Sequence, residues 1–541
     1  MKDLWSGRAI ALLVLILLAA AAVRVYSFSG YVGLDDAEYA RLADALTTGR
    51  DVTTGYRGPA VFPLRFAAYV PTAASFKFFG VSEWTMVLYP FIVSLVSIVL
   101  IYIAAALFFG WQAGLLSAAL LSAFYWDINS ATKLLPDLPA GAFALAGIVL
   151  LVYLDRQTPE RKSSLIAGGA VAGLTFGLSW LAKETIAYLA PFTLALIFLT
   201  VTRTSEPQSR RMRLVWAGFI AGSGLVLLGE CAAYYFTTGD ALFRVHEIER
   251  NYRQWENGFF SEGSNMGWAQ GTAYTQALMN RLFVGGPATL LLEPSLYYLT
   301  LIGIAAAAYG WWRNDRAYTI PALWLITLLV AFNFASSSTT EYIPLSLYHR
   351  YLYPVYYPAI ILVGGLLAKL VFTEPLSLKP QRLVELGSAT AVSLLILWAA
   401  VPTLYFNVLV RPTSWTEEVR MFKDSVHPDS ALYADALTLR AFEFFTGYPT
   451  KTSWIGFEQI ASGADIPVGS TVIVNKRYID WLNRNAGMWV AWPSPGPTER
   501  SGYRRHDFYN AAPDTWNEVW KDDNARIYKV GAEPQHTGSA Q

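Results

Sequence analysis

The sequence predicts an α-helical polytopic membrane protein that carries a smaller α/β domain outside the bilayer at its carboxy end. Three observations lead there. Of 541 residues, 54% are hydrophobic, 15% aromatic and only 15% charged, whereas soluble proteins carry roughly 25% charged residues. Apolar runs long enough to span a bilayer recur along the first three quarters of the chain. The basic residues between those runs fall on one side under a single count of spans. The formal charge of +1 gives no global reason to expect nucleic acid as a partner, so charge arguments rest on position. Cys231 is the single cysteine, which excludes a disulfide framework and a thiolate metal centre.

Runs of about 17 to 25 mainly apolar residues place spans near 9–28, 85–109, 112–128, 136–154, 164–182, 184–202, 214–236, 288–310, 318–334, 350–371 and 387–407, about eleven in all. The first run follows Lys2 and Arg8 and has an Ala-rich end like a cleavable signal, but its length is nearer that of a span. Either way the amino terminus starts inside. Lys2/Arg8, Arg156/Arg161/Lys162, Arg203/Arg210/Arg211/Arg213, Arg313/Arg316 and Lys379/Arg382 then share one side, which the distribution of Lys and Arg makes the cytoplasm. A transmembrane domain is expected over 1–407, with external loops at 29–84 and 237–287, and an external soluble domain over 408–541.

In the first of these loops, Leu34, Ala37, Leu42 and Ala45 recur at helical spacing against Asp35, Glu38 and Arg41, predicting an amphipathic helix lying at the membrane surface. The 237–287 loop, rich in charges and aromatics, is too long for a plain connector and reads as a cover or a surface excursion. In the tail, "ALYAD" (431–435), "STVIVNKRY" (470–478) and "ARIYKV" (525–530) read as strands and "LTLRAFEFFTG" (437–447) as a helix closed by glycine. The last eleven residues read as disordered.

Charged residues on the predicted outer face carry the chemistry. Asp35-x-x-Glu38 opens a helix and resembles a capping box, which alone would explain both acids and leave Asp36 over. Asp137 stands between Pro136 and Pro139 at the mouth of a span, where an N-cap is the plain alternative, and Asp127 lies one helical connection away. Asp137 falls on the same membrane face as Asp35, and two carboxylates at one depth could hold a divalent metal cation or divide the work of base and orienting group, with Asp36 and Asp137 the candidate metal ligands. Lys183 and Arg350 run against the orientation rule: Lys183 could pair with Glu184 or snorkel, and Arg350 could anchor among tyrosines. An arginine there could instead clamp a phosphate, with His349 adding a donor. His246-x-x-Glu249 is the nearest approach to a metal-ligand motif.

These segments resemble, in order, a known family. "GLDDAEYARLADAL" (33–46) is similar to the D-[DE]-x-x-Y signature in the first external loop of the GT-C polyprenyl-phosphate-sugar glycosyltransferases, a group that includes protein O-mannosyltransferases and the aminoarabinose transferases of lipid A. "RGPAVFPLRFAAYVPTAASFKFFGVSEWTMVLYP" (57–90) resembles the stretch that follows it, "KETIAYLAP" (183–191) a later lysine segment and "HRYLYPVYYPAIIL" (349–362) the late "RYLLP" segment. The resemblance covers about residues 5 to 370, and the departure from Asp-Glu to Asp35-Asp36 is mild. It implies a GT-C fold, Asp35 as catalytic base, Asp137 as a second-loop acid, Asp36 beside them, and Lys183, His349 and Arg350 as donor-phosphate residues.

The chemistry of the residues agrees with that implication. Moving a sugar off a lipid phosphate requires a base for the acceptor hydroxyl and positive charge on the leaving phosphate. A general acid is dispensable because the leaving group is already a good anion. The expected partners are a polyprenyl-phosphate sugar, a lipid, glycan or protein acceptor, and membrane lipids, and a single displacement would invert the sugar. A transporter or lipid flippase is the rival class, but it would need ionisable or broken-helix sites near the midplane, where the predicted spans are nearly free of charge. No Asn-x-Ser/Thr sequon occurs, so a bacterial cytoplasmic membrane is expected, with the tail domain outside.

Overall fold

The computed structural model describes residues 5–51, 61–156, 162–202, 206–259, 278–292, 298–336, 349–372, 416–423, 431–449, 453–457, 466–476 and 512–531, with a few isolated positions. Helix α1 is Gly7–Tyr26, α2 Asp35–Thr48, α3 Phe66–Phe79, α4 Glu83–Phe109, α5 Trp111–Ser122, α6 Tyr125–Ala131, α7 Asp137–Arg156 and α8 Lys162–Ala182. After a 3-10 stretch, Glu184–Leu189, come α9 Ala190–Thr202, α10 Glu206–Thr238, α11 Phe243–Phe259, α12 Gly286–Leu292, α13 Leu299–Trp312, α14 Thr319–Phe334 and α15 Tyr353–Phe372. The tail contributes α16 Glu417–Phe422, β1 Leu432–Ala434, α17 Ala436–Phe445, β2 Trp454–Gly456, β3 Thr471–Asn475, β4 Trp516–Lys521 and β5 Ala525–Val530.

The chain is a multi-pass membrane protein. Among the described residues, 8 helices are long and apolar enough to cross a bilayer, and they coincide with eight of the expected spans. The remaining three differ in instructive ways. The expected span at 112–128 is α5, a helix of 12 residues that rises only about 18 Å, short of the roughly 30 Å hydrocarbon thickness. It hands over to α6 through Phe124. Of the expected span at 288–310, the described parts are α12 and the 14-residue α13, and residues 293–297 between them lie outside the described residues. The expected span at 387–407 lies outside the described residues apart from isolated positions.

Local chemistry fixes where these helices begin. Ser82 and Thr85 form a reciprocal capping box at the start of α4, which satisfies amide groups that the helix cannot bond itself. Helix α15 is buried along nearly all its length, from Tyr353 to Ala368, and packs against α4, α5, α7, α13 and α14. It is the axis of the bundle. Helices α8 and α10 approach through glycine: a methyl group on Gly173 or Gly222 would overlap the carbonyl oxygen of Phe219 or Ala170. Small residues substitute for the hydrophobic drive that lipid cannot supply between helices.

The tail folds as expected where its pattern was clearest. β1, β3, β5 and α17 fall on the segments predicted for them, with Asp435 capping α17 through the amides of Leu437 and Thr438. The sheet order is β2-β1-β3-β5-β4, with β1 parallel to β2 and β3 and with β5 antiparallel to β3 and β4. Strands β2 and β4 add two edges that the sequence pattern did not reveal, since β2 has three residues and β4 is mostly exposed. Residues 532–541, expected to be disordered, lie outside the described residues.

One hydrophobic core is shared by this sheet and the first loop. Tyr31, Ala37, Tyr39, Leu42, Tyr69 and Phe76 pack in the same cluster as Phe442, Phe444, Ile473 and Ile527. Helix α2 therefore differs from the expected surface helix. Asp36, Glu38 and Asp44 on its polar side are buried along with Ala37, Leu42 and Ala45, because the tail covers the face that amphipathicity assigned to water.

Candidate active site

Four of the residues singled out in the sequence meet at one end of the bundle. Asp35, the first residue of α2, receives Arg350 Nη1 on its Oδ2 at 2.7 Å. Arg350 stands in the short 3-10 turn His349–Leu352 that leads into α15. Lys183, between α8 and the Glu184–Leu189 turn, donates to Asp137 Oδ1, and both side chains are only 2% exposed. Tyr351 joins the two ion pairs: Lys183 Nζ lies 3.5 Å from the centre of its ring, and the Arg350 guanidinium lies 5.3 Å from it. In the sequence Tyr351 is one of several tyrosines around Arg350. Only the juxtaposition of Lys183 and Arg350 distinguishes it.

The resulting arrangement is two carboxylates against two cations, one pair buried and the other partly exposed. Asp137 Oδ2 is buried with no hydrogen-bond partner among the described residues, an acceptor left open inside the recess. Asp35 is 24% exposed and so remains reachable from outside. Burial drives the Lys183 ammonium down to about 8, against the opposing pull of Asp137, with Arg65 and Arg350 pushing the same way as burial. Lysine is thus poised to carry a charge that a bound anion would stabilise.

Asp36 is placed differently from its neighbour. Its Oδ2 accepts from the amides of Val32 at 2.6 Å and Gly33 at 3.3 Å, and its Oδ1 from Leu34 at 2.8 Å. Three of about four acceptor positions on the carboxylate are thereby committed to the backbone. The cap expected of Asp35 does not form: the helix N-cap is Leu34, which makes no side-chain cap, and Asp36 ties down the loop before the helix instead. Burial raises the Asp36 carboxyl, with the three amide bonds opposing it. Asp127 is likewise sealed away: it pairs with Arg24 at 2.5 Å, both fully buried, and accepts from Tyr353 at 3.1 Å. It plays no part in the recess.

The residues present do not fit the divalent cation considered for Asp36 and Asp137. Asp36 is turned to its own loop, Asp137 already faces an ammonium, and among the described residues no group of three or more His, Cys, Asp or Glu side chains is arranged to hold a metal. His246 Nδ1 meets Asp240 at 2.7 Å on the surface rather than pairing with Glu249. The side chain of His349 lies outside the described residues.

A second charged layer, unforeseen in the sequence, backs the first. Arg65 bonds Glu184 Oε2 at 3.1 Å and Tyr39 at 2.8 Å. Arg244, from α11, bonds Glu230 at 2.9 Å and the Leu64 carbonyl at 2.8 Å, and its guanidinium lies 4.8 Å from the Trp180 ring. Lys183 therefore does not pair with Glu184 as its sequence neighbour suggested. Glu184 serves Arg65, and the layer ties α2, the α3 entrance, α8, α10 and α11 together behind the recess.

Comparison with known proteins agrees with this architecture. Residues 66–228 match the family model of dolichyl-phosphate-mannose-protein mannosyltransferases. No curated protein sequence matches the chain. Among solved structures, ArnT from Cupriavidus metallidurans in the apo state superposes with a TM-score of 0.55 at 15% identity, covering 97% of this chain and 99% of that one. The same ArnT bound to undecaprenyl phosphate gives 0.54 at 13% identity, with 98% and 99% covered. The archaeal oligosaccharyltransferase AglB from Archaeoglobus fulgidus, in complex with an inhibitory peptide and a dolichol-phosphate, gives 0.54 at 12% identity over 96% of this chain and 80% of that one. The chain thus shares the fold of these membrane proteins along almost its whole length, and its early membrane helices carry the mannosyltransferase family pattern over residues 66–228.

Proposed function

We propose that the protein transfers a sugar, with inversion, from a polyprenyl-phosphate donor to a hydroxyl group of a lipid, glycan or protein acceptor at the outer face of the cytoplasmic membrane. The observation that carries this reading is the meeting of Asp35 with Arg350, and of Lys183 with Asp137, around the single ring of Tyr351. In this scheme Asp35 accepts the proton of the acceptor hydroxyl as its oxygen attacks the anomeric carbon. The bond from that carbon to the phosphate oxygen breaks, and the polyprenyl phosphate leaves with the electron pair. Lys183 and Arg350 neutralise the phosphate as its charge grows, worth most where water is excluded. His349 is assigned to the same anion by its place beside Arg350, and Asp137 to holding Lys183. Asp36 shapes the loop that presents Asp35.

Two features support the sidedness. Arg156 sits at the opposite end of its helix from Asp137, and Lys369, at the far end of the helix that Arg350 leads into, pairs with Asp315 between Arg313 and Arg316, as the distribution of cytoplasmic Lys and Arg requires. Structures of the fold neighbours hold undecaprenyl phosphate or a dolichol-phosphate, which is the chemistry that the two cations here would recognise. On this reading residues 1–407 are the membrane domain and 408–541 an external domain.

The test is turnover of purified protein with labelled polyprenyl-phosphate sugars and a panel of hydroxyl acceptors. Asp35→Asn should lower transfer by about 10²- to 10⁴-fold, the span that a positioned base contributes, while donor binding persists. Full-rate transfer by the variant would remove Asp35 as base, and transmembrane movement of a lipid without sugar transfer would favour the flippase instead.

A further inference from the structure

We propose that the carboxy-terminal unit is a clamp that positions the catalytic helix, with Arg420 and Arg440 as positioning residues for Asp35. The inference rests on the reading of Asp35 as base and deepens it by giving the tail a role in turnover. Its starting point is the connection 29–34, which delivers Asp35 from α1. Gly30 and Gly33 both take left-handed backbone conformations there, with φ of 64° and 90°, and a side chain on Gly30 would overlap the Glu83 carboxylate. A segment so shaped has no ladder of its own to hold it, and its polar groups must be satisfied from elsewhere.

The tail supplies much of what is missing. Arg420 donates to the carbonyls of Tyr31 at 2.8 Å and Ser29 at 3.3 Å, and to Glu83 at 2.7 Å. Glu83, at the head of α4, also receives the Tyr31 amide at 2.9 Å. Thr416 adds a bond to the Tyr31 carbonyl at 3.2 Å. The Tyr31 ring is fully buried and stacked on Phe444, 4.4 Å between centroids, with Phe445 edge-on at 5.6 Å. One turn into α2, Arg440 of α17 meets Glu38 at 2.5 Å. The residues on either side of Asp35 are thus gripped by the tail from two directions.

The grip matters most during turnover. At rest Asp35 is also tethered by Arg350, but an arriving donor phosphate competes for that guanidinium. Once Arg350 turns to the phosphate, the position of Asp35 depends on its own loop, folded by Asp36, and on the clamp that anchors that loop to the tail. A carboxylate misplaced by about 1 Å can lose roughly 10²-fold in rate, so loosening the clamp should reduce turnover while leaving donor capture intact.

The experiment compares full-length Arg420→Met, Arg440→Met and the double variant with Arg420→Lys, Arg440→Lys and Asp35→Asn. Initial rates are measured against donor concentration, and the stoichiometry of a non-transferable polyprenyl-phosphate analogue is measured on the same samples. The clamp predicts a kcat lower by about tenfold to 100-fold in the double variant. Donor KM should stay within about twofold and analogue stoichiometry should be unchanged, with partial recovery in the lysine variants. A kcat within about twofold of wild type, or a loss of kcat matched by lost stoichiometry, would overturn it. Undiminished turnover by Asp35→Asn would instead sink the base assignment, whatever the clamp variants do.

Discussion

Raising pH across the range in which Lys183 discharges should separate its role from simple stability. Burial holds the Lys183 ammonium at about 8 rather than the ordinary lysine value of 10.5, a difference that costs the charged form about 3 kcal/mol. One pH unit above 8 only about a tenth of the lysine remains charged, so if the ammonium is what captures the donor phosphate, kcat/KM should fall about tenfold per unit beyond that point. The linked stability runs the other way. Between about 8 and 10.5 the unfolded chain keeps its proton and the folded chain releases it, so the contribution of this group to stability rises with pH in that window. Activity falling where this contribution to folding grows cannot be denaturation through Lys183. Asp137 is the group that holds the lysine up, so Asp137→Asn should move the descending limb to lower pH. The assay is initial-rate transfer from the donor at pH values from about 6 to about 9.5, with thermal unfolding in the same buffers. A wild-type profile flat to the top of that range, or a limb that moves upward in Asp137→Asn, would refute the assignment of Lys183 as phosphate receptor.

Other substitutions probe the scaffold around the recess. Arg24→Met leaves Asp127 charged, buried and without its guanidinium, and should destabilise the protein by about 3–5 kcal/mol; the double variant Arg24→Met/Asp127→Asn should recover much of that in thermal unfolding, and an unchanged midpoint in the single variant would contradict the pairing. Asp36→Ala deprives three loop amides of their acceptor at about 1–3 kcal/mol each if left unsatisfied, so its unfolding midpoint should drop well below that of Asp36→Asn, which keeps one acceptor oxygen. Gly30→Ala combines left-handed backbone with overlap on Glu83 and should lower turnover as well as stability, whereas Gly49→Ala, with open space around it, should affect only local stability; equal effects at the two positions would argue against a specific fit between Gly30 and Glu83.

The candidate site was legible in the sequence to the extent that ionisable residues are costly near a membrane and therefore stand out against apolar surroundings. Asp35, Asp137, Lys183 and Arg350 stood out in that way, and all four meet. Arg65 and Arg244 escaped notice because each looked like an ordinary surface charge until the loop carrying Arg65 and helix α11 folded over the end of the bundle, and Glu184 stood out only as a neighbour for Lys183. Tyr351 was hidden among equals, with Tyr348, Tyr353, Tyr356 and Tyr357 around it. Local spacing suggested that Asp35 caps its helix, but the capping rule assumes a chain entering its helix in extended form, while Leu34 enters at φ −107° and ψ −124° as the uncapped N-cap, and Asp36 turns back onto the loop.

By itself the sequence determined a multi-pass helical membrane fold with a small mixed α/β unit after it, because hydrophobic length and strand alternation are local properties of the chain. It also determined which end of the bundle gathers the reactive charges, through the asymmetric placement of Lys and Arg. The tertiary structure decided which charge answers which: Lys183 with Asp137 rather than Glu184, Arg350 with Asp35, and Glu38 with an arginine some four hundred residues away. Such choices depend on distances between segments remote in the chain, and where charges are buried a difference of a few ångströms separates a strong ion pair from an unmatched charge.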